Sequence, residues 1–183
     1  MRFFTPELYA RFNSAKRDEA DKADEQWESA IRGYRKHLDR IRERLAPEVR
    51  ELADLCLHDA ELLSPDQSLQ PLVSVRLESV GPEALWRAIS VMPLKQDREL
   101  MTLVYVLFDR IRHRPPPRGW RFSKLRPHWL YDEIDLDALQ AGHFLHRVLL
   151  SDGRTLEIPF ISAVVRRVSL FTATGGEMAR KGA

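Results

Sequence analysis

The chain has one cysteine among its 183 residues, so it can form no disulfide bond within itself. A cage of several cysteine thiolates around a metal ion is excluded for the same reason. Cys56 follows Val49, Leu52 and Ala53 on the apolar face of a predicted helix. We therefore expect Cys56 to be a small buried hydrophobic residue, with a reactive thiol as the alternative.

Long hydrophobic runs are also missing. No stretch approaches the roughly 20 apolar residues that a transmembrane helix requires. Charged residues follow soon after the first residue, at Arg11, Lys16 and Arg17, which leaves no room for the apolar part of a secretory signal. Together with the single cysteine, this pattern predicts a cytoplasmic protein with no membrane partner.

Glycine is scattered, and neither sign of charge is in large excess. The eight glycines form neither a phosphate-binding loop nor a nucleophile elbow. With 29 basic and 27 acidic residues, the formal net charge is +2, which argues against a protein devoted to coating nucleic acid. The sequence points to no catalytic residue, no cofactor and no metal site, and it favours a non-catalytic protein.

The N-terminal part predicts helices. Thr5, Pro6 and Glu7 are typical of a helix start, since threonine caps, proline fits the first turn and an acid complements the helix dipole. A second stretch carries one apolar stripe with spacings of four and three, formed by Trp27, Ile31, Tyr34, Leu38, Ile41 and Leu45. Pro47 ends this pattern and can start another helix. We expect the stripe to pack on a sheet of the same chain; a partner helix in a coiled coil is the alternative.

After residue 56 the apolar period changes from about 3.6 to 2, which indicates strands. The candidate strands are residues 57–63, 72–78, 100–109, 129–136, 144–150, 155–160 and 163–171. Residues 83–92 are left open between a short helix and an irregular connection. Asp152 and Gly153 lie between two apolar runs and predict a two-residue hairpin.

These elements predict one α+β domain over residues 1–171, with a helical part at 1–56 and a strand-rich part at 57–171. N-terminal amphipathic helices should pack on an antiparallel sheet of about five or six strands, because most connections are too short for parallel crossovers. Residues 172–183 have little apolar content and are expected to form a mobile tail.

Three short stretches resemble bacterial sequences. The opening Met-Arg-Phe-Phe-Thr-Pro-Glu-Leu-Tyr, residues 1–9, resembles the start of an uncharacterised bacterial domain-of-unknown-function family that opens Met-basic-aromatic-Phe-Thr-x-Glu-Leu-Tyr. The Leu-His-Asp-Ala motif at 57–60 and the stretch 149–158 are similar to the opening motif and closing hairpin of small bacterial families, some of them suspected immunity proteins of polymorphic toxin systems. The resemblance implies a bacterial α+β protein with no established activity and, more loosely, an immunity-like protein that binds a toxin.

The first choice for a binding surface is residues 110–126, here called the basic segment. It contains no acidic residue, and three consecutive prolines at 115–117 stiffen it. Its candidate binding residues are Arg110, Arg112, Arg114, Arg118, Trp120, Arg121, Lys124 and Arg126. Such a segment can dock an acidic protein surface, or it can grip phosphates and stack the bases of a nucleic acid. In a third interpretation, Trp120 anchors the loop to the core and its arginines pair with the acidic cluster that follows, Asp132, Glu133, Asp135 and Asp137.

The adjacent His58 and Asp59 are the alternative polar site. Metal-dependent phosphohydrolases carry such a pair, together with further His and Asp ligands on an all-helical scaffold. Neighbouring side chains on a strand point to opposite faces, so a structural role is expected for both residues. For the same reason His143 and His146 should diverge, and no zinc site is predicted there. The order of hypotheses is a protein-binding module, then a nucleic-acid-binding protein, then a hydrolase that uses His58 and Asp59.

Overall fold

The computed structural model describes residues 1–62, 85–92, 99–122 and 127–169. Its helices are α1 (Pro6–Phe12), α2 (Arg17–Ile41) and α3 (Pro47–Ala53), with a 3-10 turn at Arg42–Arg44. Its strands are β1 (Glu61–Leu62), β2 (Leu85–Met92), β3 (Glu99–Leu107), β4 (Arg112–Arg114), β5 (Trp129–Leu136), β6 (Phe144–Leu150) and β7 (Thr155–Ser169). The predicted α+β class, with helices packed on an antiparallel sheet, is confirmed.

The first helix begins as the sequence predicts. The Thr5 hydroxyl accepts the N–H of Leu8 at 3.2 Å, and Pro6 occupies the first turn. The helix ends at Phe12 with Asn13 as its C-cap, and a short break separates it from α2. Among the described residues, no helix combines the length and the apolar content that crossing a membrane would need.

The apolar stripe of α2 faces the sheet of its own chain, as expected. Trp27 and Ile41 are buried. The hydroxyl oxygen of Tyr34 accepts the backbone N–H of Ile134 in β5 at 2.7 Å, and burial raises the pKa of that tyrosine far above its ordinary value. Nε2 of His37 lies 3.0 Å from the Asp135 carboxylate on the same strand. The helix is therefore held to β5 by polar contacts as well as by apolar burial.

The sheet is antiparallel throughout, with the strand order β1-β2-β3-β7-β6-β5. The short strand β4 pairs with the first residues of β7, beyond the end of β3. The two ends of the order meet, because Glu61 bridges to His128 and the N–H of Trp129 donates to the carbonyl of Ala60 at 2.8 Å. The sheet thus closes on itself around an apolar interior.

The interior is built from the buried residues of the strands. In β3, every residue from Leu103 to Leu107 is buried, as in a strand covered on both faces. Leu156, Ile158 and Phe160 of β7 are buried in the same core. Full burial of one such side chain contributes about 2 kcal/mol to the free energy of unfolding.

Four sequence predictions need correction. Residues 57–60 form a turn, in which the N–H of Ala60 donates to the carbonyl of Leu57, so the predicted strand 57–63 begins only at Glu61. Residues 85–92 form a strand instead of a helix or an irregular connection. Strands 155–160 and 163–171 are one continuous strand, β7, in the described residues. Cys56 is exposed, because α3 ends at Ala53 and residue 56 no longer continues its buried face.

The hairpin between β6 and β7 is present, but its loop has three residues instead of two. The N–H of Leu150 donates to the carbonyl of Arg154, and the N–H of Gly153 donates to the carbonyl of Leu150. Gly153 has a φ of +81°, a positive value that hairpin turns commonly require and that glycine adopts without strain. Strand 72–78, the tail at 172–183 and the last residues of the predicted final strand lie outside the described residues.

Candidate functional site

Near its start the basic segment forms the strand β4, whose three side chains are all exposed. The Arg112 guanidinium donates to the carboxylates of Asp109 at 2.8 Å and Glu157 at 2.9 Å. These hydrogen bonds raise the pKa of Arg112. Arg112 is therefore already engaged by carboxylates of its own chain.

A ladder of ion pairs continues from Arg112 across the sheet. Arg147 in β6 lies 3.0 Å from Glu157 and 3.4 Å from Asp135. Burial by itself raises the pKa of Glu157, but the hydrogen bonds and charges of Arg147 and Arg112 outweigh it, so that the pKa is lowered. This face of β4, β7, β6 and β5 is consequently cross-linked by charge pairs that are satisfied within the chain.

Three later arginines of the basic segment that the structure describes, Arg114, Arg118 and Arg121, have no such partners. Arg114, Arg118 and Arg121 are exposed, and in the described part of the chain none of their guanidinium groups makes an ion pair or a hydrogen bond. Arg121 lies 5.7 Å from the centre of the Phe122 ring, a cation–π distance. Arg110 is exposed as well, and its backbone N–H donates to the Asp109 carboxylate. Lys124 and Arg126, the last two predicted binding residues, lie outside the described residues.

Trp120 fixes this loop to the body of the protein. Its indole N–H donates to the carbonyl of Ser151 at 3.0 Å, and its ring stacks on Tyr9 with a centroid distance of 5.7 Å. Gly153 packs so closely that a Cβ there would lie 2.5 Å from the indole. These contacts agree with the anchoring role that the sequence offered as one interpretation. The binding role of Trp120 stays a prediction.

The acidic cluster does not pair with the basic segment among the described residues. Asp132 accepts the indole N–H of Trp129 at 2.9 Å, and Asp135 contacts His37 and Arg147. Asp137 accepts the backbone N–H groups of the loop that follows it. The interpretation that these carboxylates neutralise the arginines of the basic segment is therefore wrong for the described residues.

Glu133 has the most internal role of the cluster. It is 2% exposed, and its carboxylate accepts the backbone N–H groups of Arg2, Phe3 and Phe4 at distances of 2.7 to 3.1 Å. Three successive N–H groups on one carboxylate form an anion nest that the chain itself fills. The carboxylate thus holds the first residues against β5.

A chain of polar side chains crosses the interior. The hydroxyl of Tyr105 lies 2.9 Å from Nδ1 of His146, and Nε2 of His146 lies 3.0 Å from the Asp132 carboxylate. Burial, followed by the charge of Asp132, raises the pKa of Tyr105 well above its ordinary value. Tyrosine, histidine and carboxylate in a line form the kind of set that serves nucleophilic catalysis elsewhere. Here Tyr105 and His146 are both 0% exposed, so these contacts connect β3, β6 and β5 inside the core. Sequence reasoning missed it, because it requires the register of three strands.

His58 and Asp59 lie in a turn, where the strand argument for divergent side chains does not hold. Nδ1 of His58 lies 2.6 Å from the carbonyl of Leu130, and its Nε2 lies 3.3 Å from the Asp59 carboxylate. Asp59 has a φ of +64°, a region that non-glycine residues rarely occupy. The prediction that the two side chains point to opposite faces is therefore wrong, while their structural role as a turn agrees with the contacts.

The two candidate sites meet at one cluster of aromatic rings. The His58 ring lies 4.7 Å from Tyr131, and Tyr131 lies 6.3 Å from Tyr9. Tyr9 in turn contacts Trp120 and Phe122 of the basic segment. Nothing in the spacing of residues 9, 58, 120 and 131 reveals this neighbourhood, since it arises only when α1, the sheet and the loop come together.

No group of three histidine, cysteine, aspartate or glutamate side chains that could hold a metal ion occurs in residues 1–62, 85–92, 99–122 and 127–169. His143 stacks on Phe108 at 4.2 Å, whereas His146 is in the interior, so these two histidines diverge as expected. Comparison with known proteins finds no matching family, no matching curated protein and no matching solved structure.

Proposed function

We propose that the chain is a non-catalytic binding module that engages an acidic surface of another protein through its basic segment. The observation that carries the proposal is the contrast in this segment between Arg112, which is paired, and Arg114, Arg118 and Arg121, which are exposed and make no ion pair among the described residues. The resemblance of the sequence to immunity-like proteins supports a toxin as one class of partner.

The described part of the basic segment, residues 110–122, is suited to binding because it is held in place before a partner arrives. Three prolines restrict its backbone, and Trp120 attaches it to Ser151 and Tyr9. A loop that is already ordered loses less conformational entropy on association. Arginine is also enriched where interface energy concentrates, because it combines buried area with directed donors.

The indole contacts favour a protein partner over a nucleic acid. Binding of single strands relies on aromatic rings that accept bases on their faces. The ring of Trp120 is already in contact with Tyr9, Phe122 and Gly153, and its N–H is satisfied. The arginines remain available, and their planar guanidinium groups match carboxylates and phosphates alike, so the preference for a protein partner depends on the occupied ring of Trp120.

The test compares two variants that each remove three positive charges. The first changes Arg114, Arg118 and Arg121 to serine. The control changes Arg35, Arg40 and Arg44, which are exposed on α2 and the 3-10 turn after it, to serine. Binding of a fluorescent poly-glutamate peptide and of a mixed-sequence single-stranded DNA is measured for each protein over a range of salt concentrations.

We expect the first variant to bind the peptide at least about tenfold more weakly, and the control to stay within about twofold of the wild type. Equal losses in the two variants would show that only net charge matters and would overturn the proposal. DNA binding with a steep salt dependence, lost in the first variant, together with no affinity for the peptide, would make the protein a nucleic-acid binder instead.

A further inference from the structure

The short strand β4 has one edge on β7 and one edge that faces away from the sheet. In an antiparallel ladder, residues alternate between backbone groups that point to one neighbour and groups that point to the other. The N–H of Leu150 donates to the carbonyl of Arg154. The backbone groups of Arg154, and two residues later those of Leu156, therefore point to β6. Thr155 and Glu157 therefore direct their backbone groups to the other side, towards β4.

The register then decides which residue of β4 is left unpaired. Arg112 lies opposite Glu157, and Arg114 lies opposite Thr155, so these two face β7. His113 lies between them, and its N–H and carbonyl consequently point outward. The N–H of Phe108 donates to the carbonyl of Pro159, so Pro159 also points away from β6, as the alternation along β7 requires. In the part of the chain that the structure describes, no strand pairs with this outer edge.

The charge along this edge is basic. His113 and Arg114 are exposed, and Arg118 follows the proline run. An extended segment that pairs with His113 places its own alternate side chains on the face of β4 that carries Arg112 and Arg114, and the unpaired guanidinium of Arg114 would attract a carboxylate there. An open strand edge accepts an added strand through backbone hydrogen bonds, and the flanking side chains decide which strand it accepts.

We infer that β4 is the docking edge for an acidic segment of the partner, which binds in extended conformation and exchanges backbone hydrogen bonds with His113. The inference rests on the proposed function, since it specifies how an acidic partner is held by the basic segment. Charged residues and prolines also protect strand edges from unwanted pairing. That protection is selective here, because positive charge repels a basic strand and attracts an acidic one.

The experiment separates backbone pairing from attraction of charge. The probe is a short peptide with glutamate at alternate positions, and its control is the same peptide with every second backbone nitrogen methylated. Methylation removes hydrogen-bond donors and keeps every carboxylate. On the protein side, His113→Pro removes the outward N–H, while His113→Ala keeps it and removes only the imidazole.

We expect the methylated peptide to bind about fivefold more weakly for each backbone bond lost, and His113→Pro to bind the unmodified peptide more weakly than His113→Ala by a similar factor. A circular-dichroism spectrum of each variant establishes that the fold is retained. If both peptides bind equally and both His113 variants bind equally, the inference that β4 pairs with an extended segment is wrong. Weaker binding after the change of Arg114, Arg118 and Arg121 to serine would still support the proposed function. If that triple variant also binds normally, the proposed function falls as well.

Discussion

Two oppositely charged stretches follow one another in the sequence, and they have opposite relations to the rest of the molecule. The acidic cluster at 132–137 lies on β5 and at its end, and each of its four carboxylates accepts hydrogen bonds or ion pairs from its own chain. The basic segment at 110–126 has Arg112 paired, whereas Arg114, Arg118 and Arg121 extend into solvent without ionic partners among the described residues.

The difference follows from where each stretch lies on the sheet. A strand between a helix and a second strand brings its polar side chains close to donors from both, so carboxylates on β5 find backbone N–H groups, an imidazole and a guanidinium. A loop that leaves the edge of the sheet meets few neighbours, so Arg114, Arg118 and Arg121 stay solvated. Local charge density in a sequence therefore does not show which charged side chains are paired within the chain, whereas their position in the sheet does.

The largest test of this comparison removes the carboxylate of Glu133. In Glu133→Leu, the N–H groups of Arg2, Phe3 and Phe4 lose their acceptor, and we expect the free energy of unfolding to fall by about 4 kcal/mol. The matched control is Asp137→Ala, whose carboxylate accepts two exposed N–H groups and should cost about 1 kcal/mol. Urea denaturation measures both, and equal costs would contradict the internal role of Glu133.

The second test concerns the anchor of the basic segment. Gly153→Ala adds a Cβ at 2.5 Å from the Trp120 ring in a residue with φ of +81°, and we expect a loss of about 3 kcal/mol from strain and overlap together. Gly142→Ala has nearly the same φ, +78°, but no atom within 4 Å of the new Cβ, so about 1 kcal/mol is expected from strain alone.

Tryptophan fluorescence complements this comparison of the two glycines. Only Gly153→Ala should shift the emission, because only there does the new methyl group displace an indole from its place against Tyr9. If both alanine variants melt alike and emit alike, Trp120 is not held by this contact.

Part of the fold can be predicted from the sequence. The bounds of β5 and β6 and the positive φ of Gly153 follow from apolar alternation and from the Asp-Gly pair. The sequence predicts two strands where β7 is one, because Ile161 is an extra residue that interrupts the period: Leu107 pairs with Phe160 and Val106 with Ser162. The predicted strand over 57–63 fails at the turn around Asp59, because the buried Leu57 and Ala60 are three residues apart, a spacing that does not fit the period of two of a strand.

The site was harder to predict than the fold, for a physical reason. The sequence selected the basic segment by composition, and composition is a local property. The partners of Glu133, and the contact between Tyr9 and Trp120, join residues more than 100 positions apart. Such contacts depend on strand register and on the position of α1, neither of which any short pattern encodes.

The third test uses pH to examine the buried polar chain. Tyr105→Phe removes the hydroxyl that contacts His146, and we expect it to lower the free energy of unfolding by about 1.5 kcal/mol at neutral pH. Burial raises the pKa of Tyr105 in the folded protein above its ordinary value of 10.0, so the unfolded chain ionises first. Stability is then full below about pH 10 and falls as the pH rises beyond it, by about 1.4 kcal/mol per pH unit for this one proton.

The phenylalanine variant lacks that ionisation, so its stability should decline less steeply than that of the wild type above pH 10. Other buried tyrosines, such as Tyr34, contribute to the alkaline loss in both proteins and cancel in the difference. Parallel curves for the two proteins would mean that Tyr105 titrates freely and is not enclosed as the structure shows.

The smallest effect on stability is expected for the triple change of Arg114, Arg118 and Arg121 to serine. Exposed charges without partners contribute little to stability, so the free energy of unfolding should change by less than about 0.5 kcal/mol. Arg147→Ser is the matched contrast, because it removes one arginine that is paired with Glu157 and Asp135, and we expect it to cost about 2 kcal/mol. Thermal melts at low ionic strength give both values. If the triple variant melts several degrees below the wild type, these arginines stabilise the fold. The contrast between a paired acidic cluster and an unpaired basic segment would then be wrong for the basic segment.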